Sequence, residues 1–424
     1  MSEAAPLYAA RLLGLLNAQP QRSVDRADHP ALAWRRAGLM TITGRPDGPA
    51  LVCPAPLASA ADGAMLALRA LAPDADALPV NGALLLGERA RLMGFGRQGC
   101  ISANGSCRLI DTADGRIALN LARDEDWDLM PILLDAETVD GWDGIARAAS
   151  RCAVAHILAL GIELSLPIAQ DGPVSIPVSP FAITPTGSAG LPARAPVVLD
   201  FAALWAGPLA GSLLAMLGAD VIKVESLSRP DGARRGHAGF YDLLNEAKRS
   251  VAIDFGDPAQ MRQLQALVDR ADIVIEGSRP RALKRLGIDR ERVVARGGIW
   301  ISITGHDDPD RVGFGDDAAI GGGLATHMAR GWGEALFAGD AIADPLTGLH
   351  AALAGWALWR QGRGALVHLS LTRTVAFACA AGVAQGKELQ RWQAMAEQDG
   401  TALYPLRTGQ GTARASGADN AILT

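Results

Sequence analysis

Residues Val197 to Glu225 read VVLDFAALWAGPLAGSLLAMLGADVIKVE, and AKRSVAIDF (247–255) and ADPLTG (343–348) follow further on. Val197 to Phe201 is a short apolar run. Gly207-Pro208 breaks it, with proline placed where a first helical turn does not need its N–H. Leu209, Leu213, Met216 and Leu217 then recur at helical spacing, and Gly218 stops the helix. A second apolar strand, Asp220 to Glu225, follows directly. The unit is βαβ, and its right-handed crossover puts the Gly207 turn and the helix N-terminus at the carboxyl edge of a parallel sheet, where ligands bind. The turn lacks the GxGxxG spacing of a dinucleotide site and the lysine-serine pair of a P-loop.

The same rhythm continues downstream: strand 251–254, helix 258–269 entered by Asp257-Pro258, strand 272–276, a short helix near 280–286 and strand 298–304. Strands alternating with helices predict an α/β, doubly wound parallel (Rossmann-like) sheet domain over 197–382, with helices around 318–329 and 346–360. Residues 172–196 are rich in Pro, Gly and Ser and read as a linker. Before them, 73–171 reads as a smaller α+β domain around RLIDTADGRIALNL (108–121), two strands joined by an Asp-Gly turn, with helices near 84–93 and 141–161. Residues 1–72 read as helical, and 383–424 as a last helix and tail.

At 424 residues with 49% hydrophobic residues, the chain can bury several cores, and no apolar run reaches membrane-spanning length. No basic segment precedes the first apolar stretch, so no signal peptide is expected. The five cysteines (Cys53, Cys100, Cys107, Cys152, Cys379) show no CxxC or Cys/His metal spacing, which predicts reduced thiols, a cytoplasmic location and no bound metal. A net charge of −5 argues against a nucleic-acid partner.

The chain also echoes itself. GLMTITG (38–44), PAPLASAADG (54–63) and VNGALLLGERA (80–90) parallel GLATHMA (323–329), AIADPLTG (341–348) and VHLSLTRTVAF (367–377). Aligning Gly63 with Gly348 sets Ser59 opposite Asp344, so the first copy would lack the carboxylate.

With these residues in view, 190–382 resembles the class III CoA-transferases, the family of formyl-CoA transferase and carnitine CoA-transferase, which includes α-methylacyl-CoA racemase. The motifs are VLDFAALWAGPLAGSLLAMLGADVIKVE (198–225), DGARRG (231–236), KRSVAIDF (248–255), SITG (302–305), GDDAAIGGGL (315–324) and IADPLTGLHAALAGWALW (342–359), in family order. In the family a small domain follows the aspartate-bearing helix. Here 94–121 resembles that domain placed ahead of the sheet, a permuted or partly duplicated order.

The resemblance implies an enzyme that moves CoA from an acyl-CoA to a carboxylic acid, most simply as a homodimer, with CoA as substrate and no resident cofactor. Asp344 matches the family nucleophile, which forms an acyl anhydride and then an aspartyl-CoA thioester. An aspartate of ordinary pKa is ionised at neutral pH and needs no partner base. On local sequence alone, Asp344 before Pro345 reads as a helix N-cap. Gly207, Arg234, Lys248 and Arg249 match positions near CoA. Gly105, in ANGS (103–106), corresponds to a loop that closes over the aspartate, or is a tight turn. Arg281, Lys284 and Arg285 read as an exposed basic helix face, and Gly321–Gly323 either admits a thioester or packs helices. Trp205 replaces a glutamine of formyl-CoA transferase, which argues against an oxalate-like specificity. Asp316-Asp317 replaces the racemase's histidine-aspartate, and His306 and His327 lie at other offsets. CoA transfer therefore leads over racemisation or a non-catalytic CoA-binding subunit.

Overall fold

The expected βαβ unit forms as strand β5, Val197–Asp200, helix Ala206–Met216 and strand β6, Asp220–Ser226. The structure, a computed structural model, describes residues 2–23, 27–188, 190–277 and 280–423. The earlier strands are β1 Cys107–Asp111, β2 Arg116–Asn120, β3 Ile168–Asp171 and β4 Ala182–Ser188. The later ones are β7 Arg249–Ile253, β8 Ile273–Glu276, β9 Ile299–Thr304 and β10 Arg363–Ser370.

Seven strands make one sheet in the order β4-β10-β9-β8-β5-β6-β7. Every pairing is parallel except β4 on β10. The chain winds outward from β5 through β6 to β7, then returns to β8 on the other side. The crevice at the carboxyl ends of β5 and β8 is therefore a topological switch point. The stretch expected as a pure linker supplies β4, the antiparallel edge strand. The helix expected near 318–329 is two, Gly315–Gly321 and Leu324–Trp332, because Gly323 takes φ +88° between them.

β1, β2 and β3 form a separate antiparallel sheet. Thr112 donates its N–H to the Gly115 carbonyl in the turn of the expected hairpin. Helices Gly141–Ala149 and Val154–Glu163 cover it with their own core, including Ile145, Ile157 and Ile168.

The N-terminal helices are not a separate body. Helix Ala4–Leu15 packs on Leu57–Leu71, which packs on Ala343–Arg360. The last is buried on nearly every face, so its sequence is apolar all round. The internal echo has a spatial counterpart. Helix Leu84–Met93 touches Ala343–Arg360, and Leu371–Cys379 reciprocally touches Leu57–Leu71. Ser59 is buried there, its hydroxyl without a partner among the described residues.

Candidate active site

Asp344 sits in the first turn of helix Ala343–Arg360, but it does not cap that helix: Ile342 is the N-cap residue. Its carboxylate instead lies against the backbone of Gly315, at the start of the facing helix, whose N–H favours the charged form. A methyl group at Gly315 would overlap that carboxylate and the Ala341 carbonyl, so glycine is required for this approach. The preceding loop is held by residues far away in sequence. Arg89 makes a two-pronged pair with Asp340 (Nε–Oδ2 2.7 Å, Nη2–Oδ1 2.5 Å). Thr43 Oγ1 accepts the Gly339 N–H at 3.2 Å, and Asp316 Oδ1 accepts the Ala341 N–H at 2.8 Å. Ala341 takes φ +41°, a backbone state costly for a residue with a Cβ, three residues before Asp344.

Asp344 remains partly accessible as a residue, yet its carboxyl group is enclosed by protein. Burial pushes it up to about 7, opposed by Arg89 and by the Gly315 N–H and reinforced by Asp340. The ordinary aspartate pKa expected from sequence is thus corrected. Asp316 and Asp317 beside it are also raised to about 7, mainly by burial. His306 is lowered to about 4 by burial, so it is neutral; its Nε2 lies 3.9 Å from Asp317 Oδ2. His327 lines a different pocket, beside Cys379.

Two cavities meet at Asp344. The first, about 640 Å³, lies over the carboxyl ends of β5, β8 and β9, against Ala202, Gly207, Gly277 and Gly305. Gly207 is packed so tightly on Ala202 that no side chain fits there. Arg229 and Arg311 also line it. Arg229 is exposed; Arg311 Nη2 donates to the Ile168 carbonyl at 3.1 Å, while its Nε is buried with no hydrogen-bond partner among the described residues. The second cavity, about 460 Å³, has an aromatic wall of Trp205, Phe240, Tyr241 and Phe314, with Arg89 and Arg235 among its cations. Trp205 stacks edge-on against Phe240 at 5.1 Å, and the Arg89 guanidinium lies 4.5 Å from its ring centre. The ANGS loop reaches this cavity through Asn104 and Ser106; Gly105 between them has φ +82° and open space around its Cα. Leu204 lines both cavities, with φ +67° and its N–H on Asp231, which is paired with buried Lys223 at 2.8 Å.

Three of the basic residues singled out from sequence lie elsewhere. Lys248 is buried and saturated, donating to Asp200 (2.7 Å), the Pro208 carbonyl (2.8 Å) and Asn245 (3.0 Å). It braces the Gly207 helix from beneath and offers nothing to a phosphate. Arg249 begins β7 at the amino edge of the sheet, paired with Asp220. Arg234 is held by Glu225 (2.8 and 2.5 Å), with Nη1 on the Arg414 carbonyl at 3.2 Å, so it fastens the C-terminal tail. The reason is common to all three: a carboxylate distant in sequence already neutralises each cation. Lys248→Met should therefore lower stability by about 3–5 kcal/mol, because Asp200 is left charged and buried. Arg249→Ala should change it by less than about 1 kcal/mol. Denaturant titration of both variants checks the contrast.

Gly321 and Gly322 pack against Ala169, Thr372 and Val375, so they serve helix packing. The side chain of Arg281 lies outside the described residues, while Lys284 and Arg285 are exposed. Arg89 and Arg311 carry no local motif and were missed from sequence. Arg229, following β6 in SRPDG, was findable as a cation at a strand's carboxyl end. Among the described residues, no group of three or more His, Cys, Asp or Glu side chains is arranged to hold a metal, and no helix is long and apolar enough to cross a membrane.

The model of the family described as CoA-transferase family III matches residues 196–410. Succinate–glutarate CoA-transferase of Agrobacterium fabrum is 32% identical over 197 residues, 41% of this chain and 49% of that protein. Formyl-CoA:oxalate CoA-transferase of Rhodopseudomonas palustris strain TIE-1 is 33% identical over 168 residues, 37% of this chain and 40% of that protein. A CAIB/BAIF family protein from Brucella suis of known structure is 27% identical, with a TM-score of 0.40 covering 53% of this chain and 60% of that one. The chain spans about half the length of the curated relatives it matches. With the family's segment covering just over half of its residues, the chain belongs to CoA-transferase family III.

Proposed function

We propose that the chain transfers CoA from an acyl-CoA thioester to a carboxylic acid, with Asp344 as the nucleophile. The observation that carries this reading is the position of Asp344 on the boundary of two cavities, one edged by strand ends with Arg229 and Arg311, the other aromatic. CoA occupies the first, its phosphates on Arg229 and Arg311, and the acyl group or acceptor acid occupies the second. The ionised Asp344 oxygen attacks the acyl carbonyl, and the carbon–sulfur bond breaks to release CoA thiolate. The thiolate then attacks the Asp344 carbonyl, freeing the acyl group as a carboxylate. The acceptor acid reverses both steps. The loop bearing Gly105 limits the access of water to these intermediates. The five unpaired cysteines support a reducing, cytoplasmic setting, and a homodimer is part of the same reading.

The test is to incubate the protein with labelled acyl-CoAs and a panel of free acids and to follow the exchange of CoA. Transfer that yields a new acyl-CoA supports the reading; hydrolysis alone, or no reaction across the panel, contradicts it. The pH profile is a second check. Asp344 must be ionised to attack and burial holds it near 7, so kcat/KM should rise about tenfold per pH unit below 7 and level off above. A profile flat from pH 5 to 8 would mean that the reacting group is not the buried carboxyl.

A further inference from the structure

We infer, on the footing of the transfer reading above, that Leu204 is the apolar wall of the passage in which the thioester meets Asp344, and that it shields the aspartyl-CoA intermediate, so that the ratio of transfer to hydrolysis is set at this residue. Among the described residues, those that line both cavities are Asp344, Leu204, Phe314 and Arg123. An acyl-CoA that occupies both cavities passes between these four side chains, and Asp344 is the one nucleophile among them. The charge of Arg123 is already compensated: Asp126 accepts its Nε at 2.9 Å and its Nη2 at 2.6 Å, and the Ser165 carbonyl accepts Nη2 at 3.0 Å.

Leu204 is held in place by buried charges from other strands and turns. Its N–H donates to Asp231 Oδ1 at 3.0 Å, and Asp231 pairs with Lys223 of β6 at 2.8 Å. Lys223 Nζ also donates to the Ala202 carbonyl at 3.0 Å, and Asp200 accepts the Ala202 N–H at 3.0 Å. Asp200, Lys223 and Asp231 are all buried. Buried ion pairs contribute little net stability, so the consequence of this set is a single geometry for the turn 202–204. In that geometry Leu204 takes φ +67°, a state that glycine or asparagine adopts with far less strain than leucine. Burial of the side chain does not offset the strain, because Leu204 is 44% exposed whereas Trp205 beside it is 3% exposed. A strained leucine with nearly half its apolar surface uncovered, at the meeting of two cavities, has the ligand as its missing neighbour.

The chemistry gives that neighbour a consequence. Water that attacks the aspartyl-CoA carbonyl forms a carbon–oxygen bond and breaks the carbon–sulfur bond. It returns Asp344 as a carboxylate and CoA as its thiol, with one water proton on sulfur and the other in solvent. The cycle then ends without a new thioester. Leucine against the thioester denies water that approach and leaves the carbonyl open to the acceptor acid in the second cavity.

The experiment follows, for one acyl-CoA and acid that the wild type turns over, both the new acyl-CoA and the free CoA thiol. Leu204→Gly removes the side chain and relieves the backbone, so its melting temperature should be unchanged or higher. Its kcat/KM for transfer should fall at least about tenfold, and the share of thioester lost to water should rise by a similar factor. Leu204→Asn keeps a side chain suited to this φ but makes the wall polar, and it should behave like the glycine variant. Leu204→Met, apolar and of similar size, should stay within about threefold of wild type. Wild-type ratios of transfer to hydrolysis in both the glycine and asparagine variants overturn the role of Leu204 while leaving transfer intact. A wild type that makes no new acyl-CoA with any acid overturns the transfer reading and this inference with it.

Discussion

Replacing Asp344 with alanine should reduce CoA transfer by about four orders of magnitude or more, because no other described carboxyl group shares its position between the two cavities. CoA affinity should stay within a few-fold of wild type, since the cations of the first cavity are untouched. The fold should tolerate the change, and the sign of its pH dependence follows from burial. The folded protein holds a proton on Asp344 up to about pH 7, whereas an unfolded chain releases it near 3.8. Folding therefore loses stability from this group as pH rises from about 4 to 7, and above 7 the buried charge opposes folding in full. Asp344→Ala removes that cost, so the variant's stability relative to wild type should increase across this window. Parallel melts at pH 5 and pH 8 measure it. An alanine variant that still transfers CoA at more than a tenth of the wild-type rate would assign the chemistry elsewhere.

Arg89→Met should have the second largest effect, through two separable routes. Asp340 is fully buried, and losing its partner should cost about 3–5 kcal/mol of stability. The cation that favours ionised Asp344 also disappears, so the pH midpoint of kcat/KM should move above 7 and the rate at neutral pH should fall at least about tenfold. Asp340→Asn removes a repulsive charge instead, so its midpoint should move below 7. Asp316 and Asp317 on the facing helix, and Arg123 in the cavity wall, remain in place in both variants. Opposite shifts in the two profiles are the signature of electrostatic support. A shared fall in rate without any shift would reduce Arg89 to a purely structural contact.

The sheet was legible because local periodicity controls it. The alternation of apolar strand and amphipathic helix from Val197 to Thr304 appears in the structure to within a few residues. The edge strand β4 was hidden because it pairs on one side only, and AITPTGS carries turn residues and a proline. Asp344 was legible through its motif, but its raised pKa was not, because the burial that raises it comes from tertiary packing that sets Gly315 of the facing helix against the carboxylate. The cations were the least legible. Lys248 and Arg249 are adjacent, yet one is sealed beneath a helix by Asp200 and the other faces solvent beside Asp220. Arg234 is held by Glu225 whereas its neighbour Arg235 is exposed, and only the fold reveals which cations are already neutralised.

The most direct measurement of the central claim is chemical trapping on the unaltered protein. The chain is incubated with an acyl-CoA that it turns over, hydroxylamine is added, and peptides are mapped by mass spectrometry. A hydroxamate confined to Asp344, formed only when the thioester is present, is the result the account predicts. Turnover with Asp344 unmodified, or a hydroxamate on Asp316 or Asp317 instead, would contradict it.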